Sequence, residues 1–512
     1  MIRALLTNGS VRRRAGAVAV IACALALVAA VPGSGAPIGP DAAPAAKGKK
    51  GKGKKKGKKK KEKPPAQPTS STREVIFVGN NWDGTADVLL FDPGTEATSA
   101  TCKSTKRKGA KGKPGSKKGK KCKRKGKKKK KKKKKKKTTK KPQQGTAARP
   151  PDLRRIARLN IIPDAAARMA EIALNPIDLG YFIGIQQLIG EGNNQYVDDM
   201  YSTNDGRFLI VSRPSFKDVI SLEIATGKIM WRFEVDGQRS DHMAISPNGS
   251  RVAVSASTGN VVHILDTATG AEVGEFPSGD SPHENTYSED GKRIYHASIG
   301  LVYTPADHPV TDTTKGDRYF QVVDAGTNAI LSRVDMGQKL EEAGYPGMSA
   351  AVRPMAITRD ERFAYLQVSF FHGYVKYDLI NQKVVQVVNL PVSDEAAATP
   401  RELYLLDSAH HGIALDGADN KLCVAGTMSD YAAIVPVNAP GQRTIINEGE
   451  KPYWSTTSKD GKHCFVSWSG TDKISILSYA QQKEVSSIKV GDHPQRIRNG
   501  VVEKSWIQSL GG

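Results

Sequence analysis

Between residues 202 and 469 one hydrophobic pattern recurs. A short polar turn leads into a run in which apolar and polar side chains alternate. The units read "STNDGRFLIVS" (202–212), "SPNGSRVAVSA" (246–256), "SEDGKRIYHAS" (288–298), "TRDERFAYLQVS" (358–369), "LDGADNKLCVAG" (415–426) and "SKDGKHCFVSWS" (458–469). Each is followed by a second alternating pair of runs around a small-residue turn, as in "VVHILDTATGAEVGEF" (261–276). Period-two alternation bounded by Asp-Gly, Asn-Gly or Thr-Gly predicts hairpins of half-buried strands. Four short strands in every stretch of about 42 residues is the repeat of a β-propeller blade.

Six units are complete, and a seventh is split between the ends of the chain. Residues 73–94 supply its second and third strands, 152–162 its fourth, and 493–502 its first. The expected fold is therefore all-β: a seven-bladed propeller over 73–505, closed by strands from both ends of the chain so that no sheet edge is left open. Residues 163–190 carry apolar positions at helical spacing and predict two short helices inserted between blades. Residues 506–512 read as a tail.

Charge divides the chain. The formal net charge is +27, but more than half of the 78 Lys and Arg lie in residues 1–150, and residues 151–512 are net acidic. Residues 1–36 read as an export signal: a basic start, the apolar run Ala15 to Val31, then small residues. Cys23 loosely fits a lipoprotein box, which leaves lipid anchoring open as an alternative to release. Residues 37–72 are rich in Lys and Pro and predict a disordered tether. Residues 96–150 predict a disordered Lys-rich loop between the third and fourth strands of the split blade, because loop closure entropy grows slowly with length. These tracts are spacers or electrostatic anchors to an anionic surface polymer or lipid headgroups. They lack interleaved aromatics, so base-specific nucleic-acid recognition is not expected. A monomer is expected.

The "SPNG…VAVSAST…VVHILDTATG" form at Ser246 to Gly270 resembles the YVTN-type repeats of secreted bacterial β-propellers. The resemblance spans about 73–502, apart from the lysine insert and the helical pair. It implies fold rather than activity. One stretch, Glu223 to Val235, also resembles the tryptophan-docking repeat of quinoprotein dehydrogenases. It occurs in one blade only and no adjacent Cys-Cys pair exists, which argues against the quinone cofactor PQQ.

First strands of propeller blades line the axis, and their starts gather at one mouth. Aligned on the following turn, His242, Glu284, His411 and Trp454 stand four residues before it. Asp241, His283, His410 and Tyr453 stand one place earlier, and Arg353 stands five before Thr358. His493 and Arg496 belong to the strand that completes the split blade. Side chains alternate along a strand, so one of each adjacent pair is expected to face the channel. Three readings stay open at this stage. The residues cap strand ends, or they form a pocket for a small polar or anionic ligand or a protein partner. Alternatively His242, His283, His411 and His493, with Glu284, bind a transition metal. No hydrolase elbow, zinc-protease helix or phosphate loop is present, so the rival to a binding module is a propeller enzyme, either a metal-dependent oxidoreductase or a lyase or lactonase. Without the signal four cysteines remain, and the candidate disulfides are Cys102–Cys122 and Cys423–Cys464.

Overall fold

The structure, a computed structural model, describes residues 71–95, 149–184, 194–300, 316–401, 404 and 408–511. The export segment, nearly all of both lysine tracts, Cys102 and Cys122 lie outside these residues. Contacts divide the chain into residues 1–92 with 152–512, and residues 93–151. All seven sheets belong to the first unit. The described part of the second holds one bridge, between Thr95 and Arg149.

Each blade is a four-stranded antiparallel sheet. The turns before the second strands explain the repeated Ser/Thr-x-Asp/Asn pattern. The hydroxyls of Thr203, Ser246, Ser288, Thr358 and Ser458 donate to the side chain two residues on, at 2.5–2.8 Å. The next turn position takes φ near +70° at Gly206, Gly249, Gly291 and Gly461, a conformation that suits glycine.

The split blade is real. Strand Pro494–Glu503 pairs with Thr72–Asn80, which pairs with Thr85–Asp92 and then Asp152–Asn160. Cores lie between neighbouring blades. In strand Phe208–Arg213, Leu209 and Val211 join a cluster with Val75, Phe77 and Val88 of the split blade. Ile210, pointing the other way, joins Met243 and Val252 of the next blade. The other five inter-blade interfaces each carry a comparable apolar cluster, so the ring closes.

Helices Ala165–Leu174 and Pro176–Tyr181 occupy the stretch where a helical pair was expected. Short helices also occur at Met336–Glu342 and Asp394–Ala398. The end of the chain departs from a simple tail. Lys504–Ser509 is helical, because Trp506 buries against Val502 and the first inter-blade core.

Candidate axial metal centre

Five of the seven inner strands reach the axis through two residues that break their regular pairing. Pro282 opposes Ser298 and Asn285 opposes His296, so three steps on one strand match two on its partner. The same extra residue occurs between Ser240 and Met243, Val352 and Met355, and Pro452 and Ser455. In the split blade the extra residue lies between Pro494 and Ile497. A bulge of this kind turns neighbouring side chains toward one side. The expectation that only one of each pair faces the axis is thereby corrected: both His283 and Glu284 reach His242.

Blade register sorts the candidates into two rings. Asp416 N–H bonds to Lys421 O just as Ser246 N–H bonds to Arg251 O, so the turn of this blade starts at Asp416, not Leu415. His411 therefore belongs with Asp198, Asp241, His283, Arg353, Tyr453 and Gln495. Gly412 stands with Asp199, His242, Glu284, Pro354, Trp454 and Arg496. His410 falls outside both rings, against Tyr431 Oη at 3.0 Å and beside His372. His493 also stands apart from the other three metal candidates. It stacks face to face on Trp82, with centroids 3.9 Å apart.

His242, His283 and His411 do converge. One nitrogen from each lies within 4.8 Å of the others. The rings of His242 and His283 are 3.8 Å apart between centroids, and His411 is 5.7 and 5.9 Å from them. Tyr453 stacks on His411 at 4.1 Å, and Trp454 presents its edge or face to His242 and His411. Trp454 and the three imidazoles are buried, none of the imidazoles more than 4 % exposed, and Tyr453 is half-buried. An open channel mouth was expected. The imidazoles are instead shut off from solvent, and a cavity of about 310 Å³ lies elsewhere, beside Ile172, Phe216 and Arg232.

Burial holds all three imidazoles well below their usual pKa; the charge of Arg496 pushes all three the same way, and that of Arg353 pushes His283 and His411. Neutral imidazole is the metal-binding form. His283 Nδ1 and both nitrogens of His411 make no hydrogen bond of ordinary geometry among the described residues. His283 Nε2 lies 3.4 Å from Arg353 Nη1. His242 Nδ1 lies 2.5 Å from Glu284 Oε2, and burial pushes the Glu284 carboxyl up to about 8. This outer carboxyl group orients the ring, as such partners do for metal-binding histidines. Three neutral nitrogens on a dry axis suit a first-row transition ion, and zinc, copper and iron all accept imidazole.

Two acids border the set, Asp241, which sequence alignment places beside His242, and Asp198, which it misses. Asp198 Oδ2 lies 3.8 Å and Asp241 Oδ1 3.6 Å from His242 Nε2. Asp241 was visible as a neighbour of His242. Asp198 directly precedes the strand Asp199–Ser202, whose four residues are too few to show a clear alternation. Its position five before Thr203 is the signal that would have found it. Beyond the trio, Arg498 makes a two-pronged pair with Asp199 at 2.9 and 2.7 Å. Arg496 lies flat on Trp454, 3.7 Å from the ring centroid.

Cys423 and Cys464 form a disulfide with Cα atoms 6.4 Å apart. They occupy second strands of adjacent blades, close enough to the axis for direct bridging.

Fold and site together define a seven-bladed β-propeller with a buried histidine cluster on its axis. No protein-family model matches the chain, and no curated protein is similar to it in sequence. Among solved structures it is similar to hydrazine synthase of Kuenenia stuttgartiensis, with 14% identity and a TM-score of 0.45 over 61% of this chain and 96% of that one. At that distance nothing about activity passes between them.

Proposed function

We propose that this chain is an exported, YVTN-type propeller that binds a transition-metal ion on its axis. Its lysine tracts hold it near an anionic cell-surface polymer. The observation that carries the metal reading is the set of three buried, neutral imidazoles, contributed by three blades, with nitrogens within 4.8 Å of one another. A structural role alone would favour well hydrogen-bonded rings, since buried polar atoms normally find partners, and His411 makes no hydrogen bond of ordinary geometry, only an approach to the Tyr453 backbone.

Export is supported by the basic-then-apolar start of residues 1–36, and the family by the repeats at 246–270. The anchor is supported by charge: a run of lysines attracts polyanions in a salt-dependent manner.

Metal analysis of protein purified without a His-tag tests the central claim. One equivalent of copper, zinc or iron is expected, and His242→Ala combined with His411→Ala abolishes it. Metal-free protein whose melting is unmoved by any divalent transition ion overturns the reading. The anchor is tested separately. Retention on anionic beads collapses in high salt and on deletion of residues 103–141, and retention that survives the deletion refutes it.

A further inference from the structure

Arg496 is another buried group on the axis with unspent polar atoms. It is fully buried. Its Nε donates to the backbone oxygen of Asp198 at 2.7 Å, but neither Nη1 nor Nη2 makes a hydrogen bond among the described residues. Those two nitrogens carry four N–H donors. Burying donors without acceptors costs on the order of 1–3 kcal/mol for each group, and more for a charged one. The guanidinium cannot shed its charge, and its face is already engaged by Trp454. Its donor edge is left for an acceptor.

That edge looks toward the histidines. Asp198 Oδ2 is 3.9 Å from Arg496 Nη2 and 3.8 Å from His242 Nε2, so the two groups flank one carboxylate oxygen. This oxygen also makes no hydrogen bond. The ring of Trp454, on which Arg496 lies, is within 6 Å of His242 and His411. Three imidazoles leave at least one position of a tetrahedral ion open.

We infer that the axis binds a small planar oxyanion, a carboxylate, bicarbonate or nitrite, with one oxygen on the metal held by His242, His283 and His411 and another on the forked edge of Arg496. The inference rests on the metal reading above. A bridging oxyanion fits the chemistry, since metal–oxygen bonds are about 2 Å and charge-assisted N–H···O bonds about 2.8 Å. It supplies acceptors to the otherwise unmatched guanidinium nitrogens. The planar fork favours a planar anion over a spherical one.

The experiment titrates formate, bicarbonate and nitrite into the full-length protein, with chloride as a control, once loaded with Co²⁺ and once stripped with EDTA. The visible spectrum of bound Co²⁺ and the melting temperature are read together. A saturable spectral change with the planar anions but not with chloride is expected, accompanied by a rise in melting temperature. In Arg496→Lys the apparent affinity falls about tenfold or more, because the lysine keeps the charge and loses the fork. If Co²⁺ binds but planar anions move neither readout, the oxyanion site is refuted and the metal reading stands. That result is expected if Asp198 itself bridges the metal and Arg496. If Co²⁺ does not bind, yet formate raises the melting temperature of wild-type protein and not of Arg496→Lys, the metal reading fails and the anion site stands. Equal response to chloride also refutes it, and that comparison needs only the wild-type protein should Arg496→Lys not fold.

Discussion

Glu284 Oε2 sits 2.5 Å from Nδ1 of His242, with both side chains buried on the axis. The contact fixes which ring nitrogen of His242 turns away toward the other imidazoles. Glu284→Gln keeps the shape and removes the titratable carboxyl group. Its metal affinity should fall about 10- to 100-fold, as for other outer-sphere partners of histidine ligands, while the fold persists. Competition with a chromophoric chelator measures this. Unchanged affinity would show that Glu284 does not support the site.

Gly412 is the one glycine in its ring of axial positions, and space explains it. A Cβ there would lie 2.4 Å from Ser455 N and 2.6 Å from the carbonyl carbon of Trp454. Both are backbone atoms that cannot swing aside. Gly412→Ala should therefore cost about 3 kcal/mol, in the range of core overpacking. Urea unfolding reads this, and a loss below half that value would mean the inner strands slide apart easily.

The Cys423–Cys464 bridge closes a loop of 41 residues between two blades. In the chain-entropy picture a loop of that length contributes about 4 kcal/mol. Cys423→Ser combined with Cys464→Ser should lower the melting temperature, and a reductant should lower that of the wild type but not of the double variant. A reductant effect that persists in the double variant would point to another disulfide.

His296 gives a pH dependence away from the three imidazoles. It is fully buried, with Nδ1 3.0 Å from Glu284 O and 2.9 Å from Asn285 Oδ1, and Nε2 2.7 Å from Ser278 Oγ. Burial pushes its pKa down to about 3. The folded state thus prefers the neutral ring more strongly than the unfolded chain does. Its contribution is complete above about pH 6.5, the unfolded value, and is lost as pH falls from there toward 3. The stability of the wild type should decline over that window by up to about 1.4 kcal/mol per pH unit from this residue. His296→Asn should flatten the decline, as followed by urea unfolding at several pH values. An identical slope in the variant would rule the residue out.

The seven blades and the joining of the two chain ends were legible because they rest on local signals: turn residues at fixed offsets and strict alternation. The site was legible only in part. His242, His283 and Glu284 could be picked out as axial candidates, but their mutual contact depends on the bulge, which is a property of strand pairing and leaves no mark in one strand's sequence. Alignment on Leu415 places His411 in the wrong ring, because Asp416 opens that turn, and the same one-residue offset puts His410 on the axis. The burial of the cluster was hidden too, since the bulk of Tyr453 and Trp454 closes an opening whose width no single blade encodes.

The pairing of Thr72–Asn80 with Pro494–Glu503 also bears on how the protein is made. The strand Thr72–Asn80 leaves the ribosome long before its inner partner exists, and its inner edge must stay unpaired while six sheets assemble behind it. Arg496, which meets Trp454 and Asp198, arrives on that same last strand. Synthesis therefore completes the barrier to edge-to-edge aggregation and the axial centre in a single late step, so that a chain truncated before residue 494 forfeits both at once.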